Sequence, residues 1–180
     1  MNKKLLVVVD YQNDFVTGAL ANEAAACLEE GIAAKVQQHL SEGGAVLFTR
    51  DTHEEDYAET REGRFLPVPH CIQGTDGWHL YGSLRMYEDA VRDGVGFVDK
   101  PVFGSAALPG AVLTLCGGEP ASIEVCGVVT DICVISNAII LHSWFVNAPV
   151  TVHGSLCAAA SEENHLRALE VLKGMGYLVD

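Results

Sequence analysis

The stretch "KLLVVVD", residues 4 to 10, contains five aliphatic residues in a row and closes on an acid at Asp10. A continuous aliphatic run of this kind is typical of a parallel strand that is covered on both faces. Helical spacing of Ala, Leu, Ile and Val follows over residues 22–44, which end in two glycines. A second run, "AVLFTRD" at 45–51, again closes on an acid. The segment therefore predicts a βαβ unit.

The alternation of strands and helices continues to the end of the chain. Further helices are predicted at residues 81–91, 107–118, 131–146 and 161–176, and further strands at 94–100, 122–129, 149–154 and 177–179. Six strands alternating with helices predict an α/β fold, a doubly wound, mostly parallel sheet with helices on both faces in a Rossmann-like three-layer sandwich. We expect a single domain over residues 1–180, with a long functional insertion at about 52–82.

Charge and cysteine content disfavour several classes of partner and location. The formal net charge is −13 and the pI is about 4.8, which argues against binding to nucleic acids or anionic membranes, because both are bound through Lys and Arg. The N-terminal apolar run is too short for a signal peptide or a spanning helix. The six cysteines contain no CxxC pair, so we expect thiols in a cytoplasmic protein.

Residues that can carry chemistry fall at the carboxyl ends of the predicted strands. Asp10, Asp51 and Lys100 each end a strand, and Cys133 lies in the turn after the strand at 122–129. Doubly wound sheets bind ligands beyond the carboxyl ends of their strands, so these side chains can converge on one site. Cys133 also lies in the first turn of the helix predicted at 131–146, where the positive end of the helix dipole favours a thiolate.

Each of these residues also has a structural interpretation when it is taken alone. A cysteine at a helix start is more often a packed thiol, an acid after a strand is as often a cap, and a lysine at a strand end is usually solvated. Together, however, they suit nucleophilic chemistry, because a carboxylate can accept the thiol proton and pass it to a leaving amine. Cys126, inside its strand, is expected to be inert.

The long insertion contains candidate metal ligands. Asp51 and His53 are separated by one residue, and His70 follows a proline-rich turn. Carboxylate and imidazole ligands with open positions suit zinc, iron or manganese. The alternative is a polar loop without a metal, since an Asp-x-His pair alone is a weak signal.

Three motifs occur in a recognisable order: "VVVDYQNDF" at 7–15, "DKPVFGS" at 99–105 and "GVVTDICV" at 127–134. In this order they resemble the isochorismatase-like cysteine hydrolases over essentially the whole chain, and within them the nicotinamidases. The resemblance implies that Asp10, Lys100 and Cys133 are the catalytic residues.

The resemblance also implies finer features of the site. It implies a cis peptide bond between Val128 and Val129, and an oxyanion hole made by the backbone N–H groups of Val129 and Cys133. The segments "TRDTHEED" and "LPVPHCIQGTDGW" resemble the nicotinamidase metal loop, which implies one divalent metal ion, with zinc first and iron or manganese as alternatives. The implied ligands are Asp51, His53, His70 and Glu62, with Glu59 as the alternative to Glu62.

The same resemblance implies a substrate and a pocket. The residues that it implies for the pocket wall are Phe15, Leu20, Leu66 and Phe103. The implied reaction is hydrolysis of a small-molecule amide, nicotinamide, to nicotinate and ammonia through a thioester on Cys133. Two alternatives stay open: another small amide, N-carbamoyl or ureido compound handled by the same triad, and an inactive relative that binds a ligand or a metal. The resemblance also implies a homo-oligomer.

Overall fold

The computed structural model describes residues 2–180, and its strands form one sheet. The strands are β1 (Lys4–Val9), β2 (Ala45–Asp51), β3 (Val95–Lys100), β4 (Ser122–Val128), β5 (Val150–Ala158) and β6 (Leu178–Val179). Every pair of neighbours runs parallel, and the spatial order is β3-β2-β1-β4-β5-β6. The prediction of a doubly wound six-stranded sheet is confirmed, and the sheet is parallel throughout.

β1 lies at the centre of the sheet because its aliphatic residues are covered on both faces. All of its residues after Lys4 are buried. Its last residue, Val9, pairs with Thr49 of β2 on one side and with Gly127 of β4 on the other. The strand order therefore reverses between β1 and β4, and the crevice at their carboxyl ends is where doubly wound sheets bind ligands.

Helices connect the strands and pack against the sheet. They are α1 (Asn13–Val16), α2 (Glu23–Ala26), α3 (Glu29–Ser41), α4 (Arg61–Phe65), α5 (Leu108–Cys116), α6 (Ile135–Trp144) and α7 (Glu162–Gly174). α3 and α5 contact β1 and β2, whereas α6 and α7 contact β5. α7 begins as predicted at Ser161, whose hydroxyl accepts the Asn164 N–H.

Three predicted helices differ from the structure. The helix expected over 22–44 is split into α2 and α3, because the Leu28 N–H bonds to the Ala25 carbonyl and tightens the chain between them. The helix expected over 81–91 is a 3₁₀ helix at Gly82–Tyr87. The helix expected over 131–146 begins with a π-helical turn at Thr130–Val134 and continues as α6. Apolar spacing does not distinguish these tighter or wider turns from an α-helix.

The insertion at 52–82 has short elements of its own. It contains α4 and two 3₁₀ turns, Tyr57–Glu59 and Asp76–Trp78. Within residues 2–180, no helix is both long enough and apolar enough to cross a membrane.

Candidate active site

The ends of three strands bring an acid, a lysine and a cysteine into contact. Asp10 follows β1, Lys100 ends β3, and Cys133 lies in the π-helical turn after β4. The Lys100 Nζ is 2.6 Å from Asp10 Oδ2 and 3.7 Å from Cys133 Sγ. Asp10 and Lys100 are fully buried, and Cys133 is 4% exposed. The three predicted residues therefore form one cluster at the carboxyl edge of the sheet.

Asp10 is oriented by the neighbouring strand. The Thr49 hydroxyl of β2 donates to Asp10 Oδ1 over 2.6 Å, and the Asp10 N–H donates to the Thr49 carbonyl over 3.1 Å. Asp10 has a φ of 48°, in the left-handed region that Asp tolerates better than most residues. The carboxylate is thus held by its backbone and by Thr49 in the position from which it reaches Lys100.

Burial dominates the titration of this cluster. Burial raises the pKa of Asp10, although the Lys100 ammonium opposes the shift. Burial alone would lower the pKa of Lys100, but Asp10, Cys133 and Asp51 raise it well above its usual value. The lysine is therefore charged at neutral pH.

Burial also raises the pKa of the Cys133 thiol well above its usual value, although Lys100 opposes this. The helix start favours a thiolate, whereas burial favours the neutral thiol in the resting site. The thiol needs a neighbouring base to remove its proton, and Asp10 is the carboxylate in position to do so.

The turn that holds Cys133 is tied to the elements around it. The Val128–Val129 peptide bond before the turn is cis, as the family resemblance implies. The Asn137 side-chain amide of α6 donates to the carbonyls of Cys133 and Phe103 over 2.9 and 3.1 Å, and its oxygen accepts the Ser105 N–H. Asn137 therefore joins the turn that holds Cys133 to the loop that follows Lys100.

A contact from α7 reaches the other side of the same turn. The hydroxyl of the buried Thr130 lies 2.8 Å from His165 Nδ1. His165 had no visible partner in the sequence, because a contact across 35 residues depends on how α7 packs against the turn.

A second cluster lies beside the first and contains four possible metal ligands. Ligand atoms of its members all lie within 4.8 Å of one another. His53 Nε2 and His70 Nε2 are 3.0 and 3.2 Å from Asp51 Oδ2, and they are 3.6 and 3.9 Å from Glu62 Oε1. Two ligands that are each about 2.1 Å from one ion lie roughly 3.0–3.4 Å apart. The two Asp51 distances lie in this range, and the two Glu62 distances are 0.2–0.5 Å longer than its upper end, so the four side chains come close to the arrangement that one divalent ion requires.

A hydrogen bond from Nδ1 of His70 leaves Nε2 of the same ring available to a metal ion. His70 Nδ1 lies 2.7 Å from the Val68 carbonyl, which can only accept, so this nitrogen carries the proton. The lone pair of the neutral ring is then on Nε2, the atom that faces Asp51. Metal-bound histidines commonly show this arrangement.

Asp51 connects the two clusters. Its Oδ2 faces both histidines, while its Oδ1 accepts from Lys100 Nζ over 3.2 Å. Burial alone would raise the pKa of Asp51, but Lys100 and the two histidines hold it well below its usual value. Asp51 is therefore ionised, as a ligand must be.

Glu62 lies in the metal-ligand cluster because of how α4 begins. The Thr60 hydroxyl accepts the Gly63 N–H and caps this helix. A Cβ at Gly63 would lie only 2.0 Å from the Tyr57 carbonyl, so glycine permits the close approach. The geometry brings Glu62 beside the histidines, whereas the alternative, Glu59, is exposed and lies outside the group.

Cys133 of the first cluster and Asp51, Glu62 and His70 of the second line one cavity of about 800 Å³. All four residues predicted for the pocket wall line it, namely Phe15, Leu20, Leu66 and Phe103. Val129 and two residues that the sequence did not single out, Phe65 and Ile132, add further apolar surface. The acids in the wall are Glu23, Asp51 and Glu62, and none of the described residues that line the cavity is Lys or Arg. The cavity is thus largely apolar, and its ionisable lining residues are these three acids, His70 and Cys133.

Residues 4–180 match the sequence profile of the isochorismatase domain. The chain belongs to the isochorismatase family. The PncA protein of this family from Bacillus subtilis (strain 168) is 31% identical over 172 residues, covering 93% of this chain and 92% of that protein. Family and relatives together indicate an amidohydrolase.

Two solved structures extend the comparison. The nicotinamidase/pyrazinamidase PncA of Bacillus subtilis has a TM-score of 0.87 at 32% identity and covers 98% of each chain. The pyrazinamidase/nicotinamidase of Streptococcus mutans UA159 has a TM-score of 0.85 at 30% identity, covering 99% of this chain and 100% of that one. The isochorismatase fold of this chain therefore matches theirs from end to end.

This isochorismatase-family site also contains a buried residue that sequence reasoning did not select. The Gln12 side-chain amide donates to the carbonyls of Asp51 and Trp78 over 2.9 and 2.7 Å, and its oxygen accepts the Asp51 N–H. It lies inside the motif "VVVDYQNDF". Its position two residues after Asp10, on the same strand end, was the available signal.

Proposed function

We propose that the protein is a metal-containing cysteine amidohydrolase that converts nicotinamide and water to nicotinate and ammonia. The observation that carries this proposal is the contact of Asp10, Lys100 and Cys133 beside a metal-ligand cluster on the same cavity. The nicotinamidases among the relatives support the choice of amide.

The first half of the reaction forms a thioester. Asp10 takes the proton of the Cys133 thiol, and the sulfur attacks the carboxamide carbon. The backbone N–H groups of Val129 and Cys133 donate to the developing oxyanion. Asp10 then gives its proton to the departing nitrogen, which leaves as ammonia. The Lys100 ammonium keeps the negative charges of carboxylate and sulfur close together throughout these steps.

The second half releases the acid. A water molecule attacks the thioester carbon while Asp10 accepts its proton. The carbon–sulfur bond breaks, the Cys133 sulfur regains the proton that Asp10 took from the water, and the acid gives the second proton of the water to solvent and leaves as nicotinate. Glu23, the acid in the cavity wall that lies outside the metal-ligand cluster, adds negative charge that favours departure of this anion.

Asp51, His53, Glu62 and His70 would hold the one divalent metal ion. Zinc is the first choice, because two imidazoles and carboxylates suit it, and iron or manganese accept the same ligands. When bound, the ion supplies a positive Lewis-acid position that can orient a lone pair of the substrate. Side chains of the cavity wall orient the substrate as well, since Phe15, Phe103 and Leu20 present apolar surface to a flat ring.

Another small uncharged amide or ureido compound is the second candidate, and the cavity favours it in one respect. A volume of about 800 Å³ leaves room beyond a single pyridine carboxamide. The absence of Lys and Arg from the described lining disfavours substrates that bear a carboxylate, such as N-carbamoyl amino acids and isochorismate. We therefore rank neutral carboxamides first, neutral ureido compounds second and anionic compounds last.

The test is ammonia release by the Zn²⁺-reconstituted protein from nicotinamide, pyrazinamide, a neutral ureido compound and an N-carbamoyl amino acid, with and without a chelator. We expect the highest kcat/KM for nicotinamide, and loss of activity when the chelator removes the metal. Highest kcat/KM for the ureido compound would favour the second candidate. No ammonia from any of the compounds would favour the inactive ligand-binding relative.

A further inference from the structure

Asp14 is a carboxylate near the site that the proposed reaction does not use. It lies in α1, and both of its oxygens accept a backbone N–H from a different loop. Oδ2 accepts from Cys71 over 2.7 Å, and Oδ1 accepts from Ala19 over 3.0 Å. Cys71 follows the candidate ligand His70, and Ala19 lines the substrate cavity. One side chain thus joins the cavity wall to the metal loop.

The Cys71 peptide is also connected to the other histidine of the metal-ligand cluster. Its carbonyl accepts the His53 N–H over 3.0 Å, so both histidines are fixed by the same residue. Cys71 has a φ of 47°, a left-handed conformation that a residue with a Cβ adopts only when its surroundings hold it there. The charged acceptor on its N–H is a strong contact of that kind.

Two glycines show how closely the chain packs around this carboxylate. A Cβ at Gly77 would lie 2.1 Å from Asp14 Oδ2, and the three atoms nearest to it all belong to the Asp14 carboxyl group. A Cβ at Gly18 would lie 2.2 Å from Asp14 Oδ1 and 2.8 Å from its Cα. The backbone therefore encloses the Asp14 carboxylate from two sides, which leaves it little freedom to take another position.

We propose that Asp14 is a positioning residue that fixes the loop containing His70 and Cys71 relative to the wall of the substrate cavity at Ala19. It acts through Cys71 and Ala19, since it is neither among the four clustered ligand side chains nor in the described lining of the cavity. The inference rests on the proposed metal-dependent amidase. It predicts that loss of the Asp14 carboxylate affects metal retention and substrate binding more than the chemistry at Cys133.

The test uses Asp14→Asn in the Zn²⁺-reconstituted protein. The amide keeps the shape of the side chain but turns an NH₂ group toward one of the two N–H donors, so one contact is lost. We expect metal release into an excess of chromophoric chelator to become about 10–100-fold faster, as for other residues that orient ligands. At saturating Zn²⁺ and nicotinamide we expect KM to rise several-fold, while kcat stays within about threefold.

Glu29→Gln is the matched control. The Glu29 carboxylate also accepts a backbone N–H from a distant segment, that of Ser83 over 2.8 Å. It touches neither the metal-ligand cluster nor the described cavity lining. Its replacement is expected to leave the rate of metal release and the KM unchanged.

Gly77→Ala tests the same contact with the carboxylate still present. The φ of Gly77 lies outside the left-handed region, so the Asp14 side chain is the obstacle that alanine meets. We expect Gly77→Ala to accelerate metal release in the otherwise unmodified protein. In the Asp14→Ala background the obstacle is gone, and Gly77→Ala should add no further acceleration.

Equal metal release and KM for Asp14→Asn and Glu29→Gln would overturn the inference. If Asp14→Asn does not fold, Gly77→Ala decides, and metal release at the unmodified rate would overturn the inference equally. Metal release can be measured without turnover. If the unmodified protein fails to hydrolyse nicotinamide, the proposed reaction is overturned, but a faster metal release from Asp14→Asn still supports the role of Asp14.

Discussion

The charge balance of the site depends on one residue, Lys100. It is fully buried and lies 2.6 Å from Asp10 and 3.2 Å from Asp51. It also lies 3.7 Å from Cys133. A buried cation beside two carboxylates offsets the cost of their desolvation. Removing any one of the three charged side chains would leave an uncompensated charge in the interior. The proposed chemistry uses the same property, because negative charge can move between Asp10 and Cys133 while the positive charge stays in place.

Lys100→Met is expected to destabilise the protein and abolish amide hydrolysis. It leaves Asp10 and Asp51 buried without their cation, and breaking such a pair costs about 3–5 kcal/mol of unfolding free energy. Denaturant unfolding of metal-free protein measures this loss. The control is Lys35→Met, which removes a half-buried partner of Glu124 and should cost about 1 kcal/mol or less. Equal losses for the two variants would contradict the buried-cluster interpretation.

His39 gives a prediction of pH-dependent stability. It is 4% exposed, its Nε2 has no hydrogen-bond partner among residues 2–180, and burial lowers its pKa despite the nearby Glu124. The unfolded chain therefore binds a proton at His39 more readily than the folded one. The resulting contribution to stability is present above the unfolded pKa of about 6.5 and is lost as pH falls below it.

The measurement is the free energy of unfolding in urea at about pH 7.5 and about pH 5.5. We expect unmodified protein to lose stability at the lower pH, and His39→Leu to lose less. A variant with the same pH dependence as the unmodified protein would show that His39 does not contribute.

At the scale of elements, the π-helical turn Thr130–Val134 is held by side chains from its neighbours. α6 supplies Asn137, which serves Cys133, Phe103 and Ser105, and α7 supplies His165 beside Thr130. A wide π-helical turn lacks the regular hydrogen bonds of an α-helix, so these contacts fix its position. The positions of the Val129 and Cys133 N–H groups therefore depend on how two helices pack.

Asn137→Leu is expected to lower the free energy of unfolding by about 3 kcal/mol and to reduce kcat. The change leaves the Ser105 N–H and the carbonyls of Phe103 and Cys133 without their partner, and each unsatisfied buried group costs about 1–3 kcal/mol. Chemical denaturation and steady-state kinetics measure the two effects. Ser143→Ala, which removes an exposed hydroxyl bond within α6, should cost less than about 0.5 kcal/mol. A similar small loss at Asn137 would contradict the assigned role.

At the scale of the whole molecule, the parallel sheet explains why distant residues meet. Strand order and direction follow from alternation of aliphatic runs and helices, so the shared edge of Asp10, Asp51, Lys100 and Cys133 could be predicted. The candidate ligand Glu62 was harder to choose over Glu59, because α4 is short and has no apolar period. The choice depends on the close approach of Gly63 to Tyr57.

The partners of the site residues could not be predicted from the sequence. Thr49 meets Asp10 across 39 residues, Asn137 meets Ser105 across 32, and His165 meets Thr130 across 35. Such contacts depend on how side chains of different elements pack together, which the local sequence around each residue does not indicate. The raised pKa of Cys133 has the same origin, since the helix start was visible in the sequence but the burial of the thiol was not.

The central claim is that Cys133 is the nucleophile of a nicotinamide amidohydrolase. Its most direct test is ammonia release from nicotinamide by Cys133→Ala, compared with Cys126→Ala, which removes a buried thiol from β4. We predict that Cys133→Ala lowers kcat by at least about a thousandfold while folded Cys126→Ala stays within about threefold of the unmodified protein. Near-full turnover by folded Cys133→Ala would contradict the account.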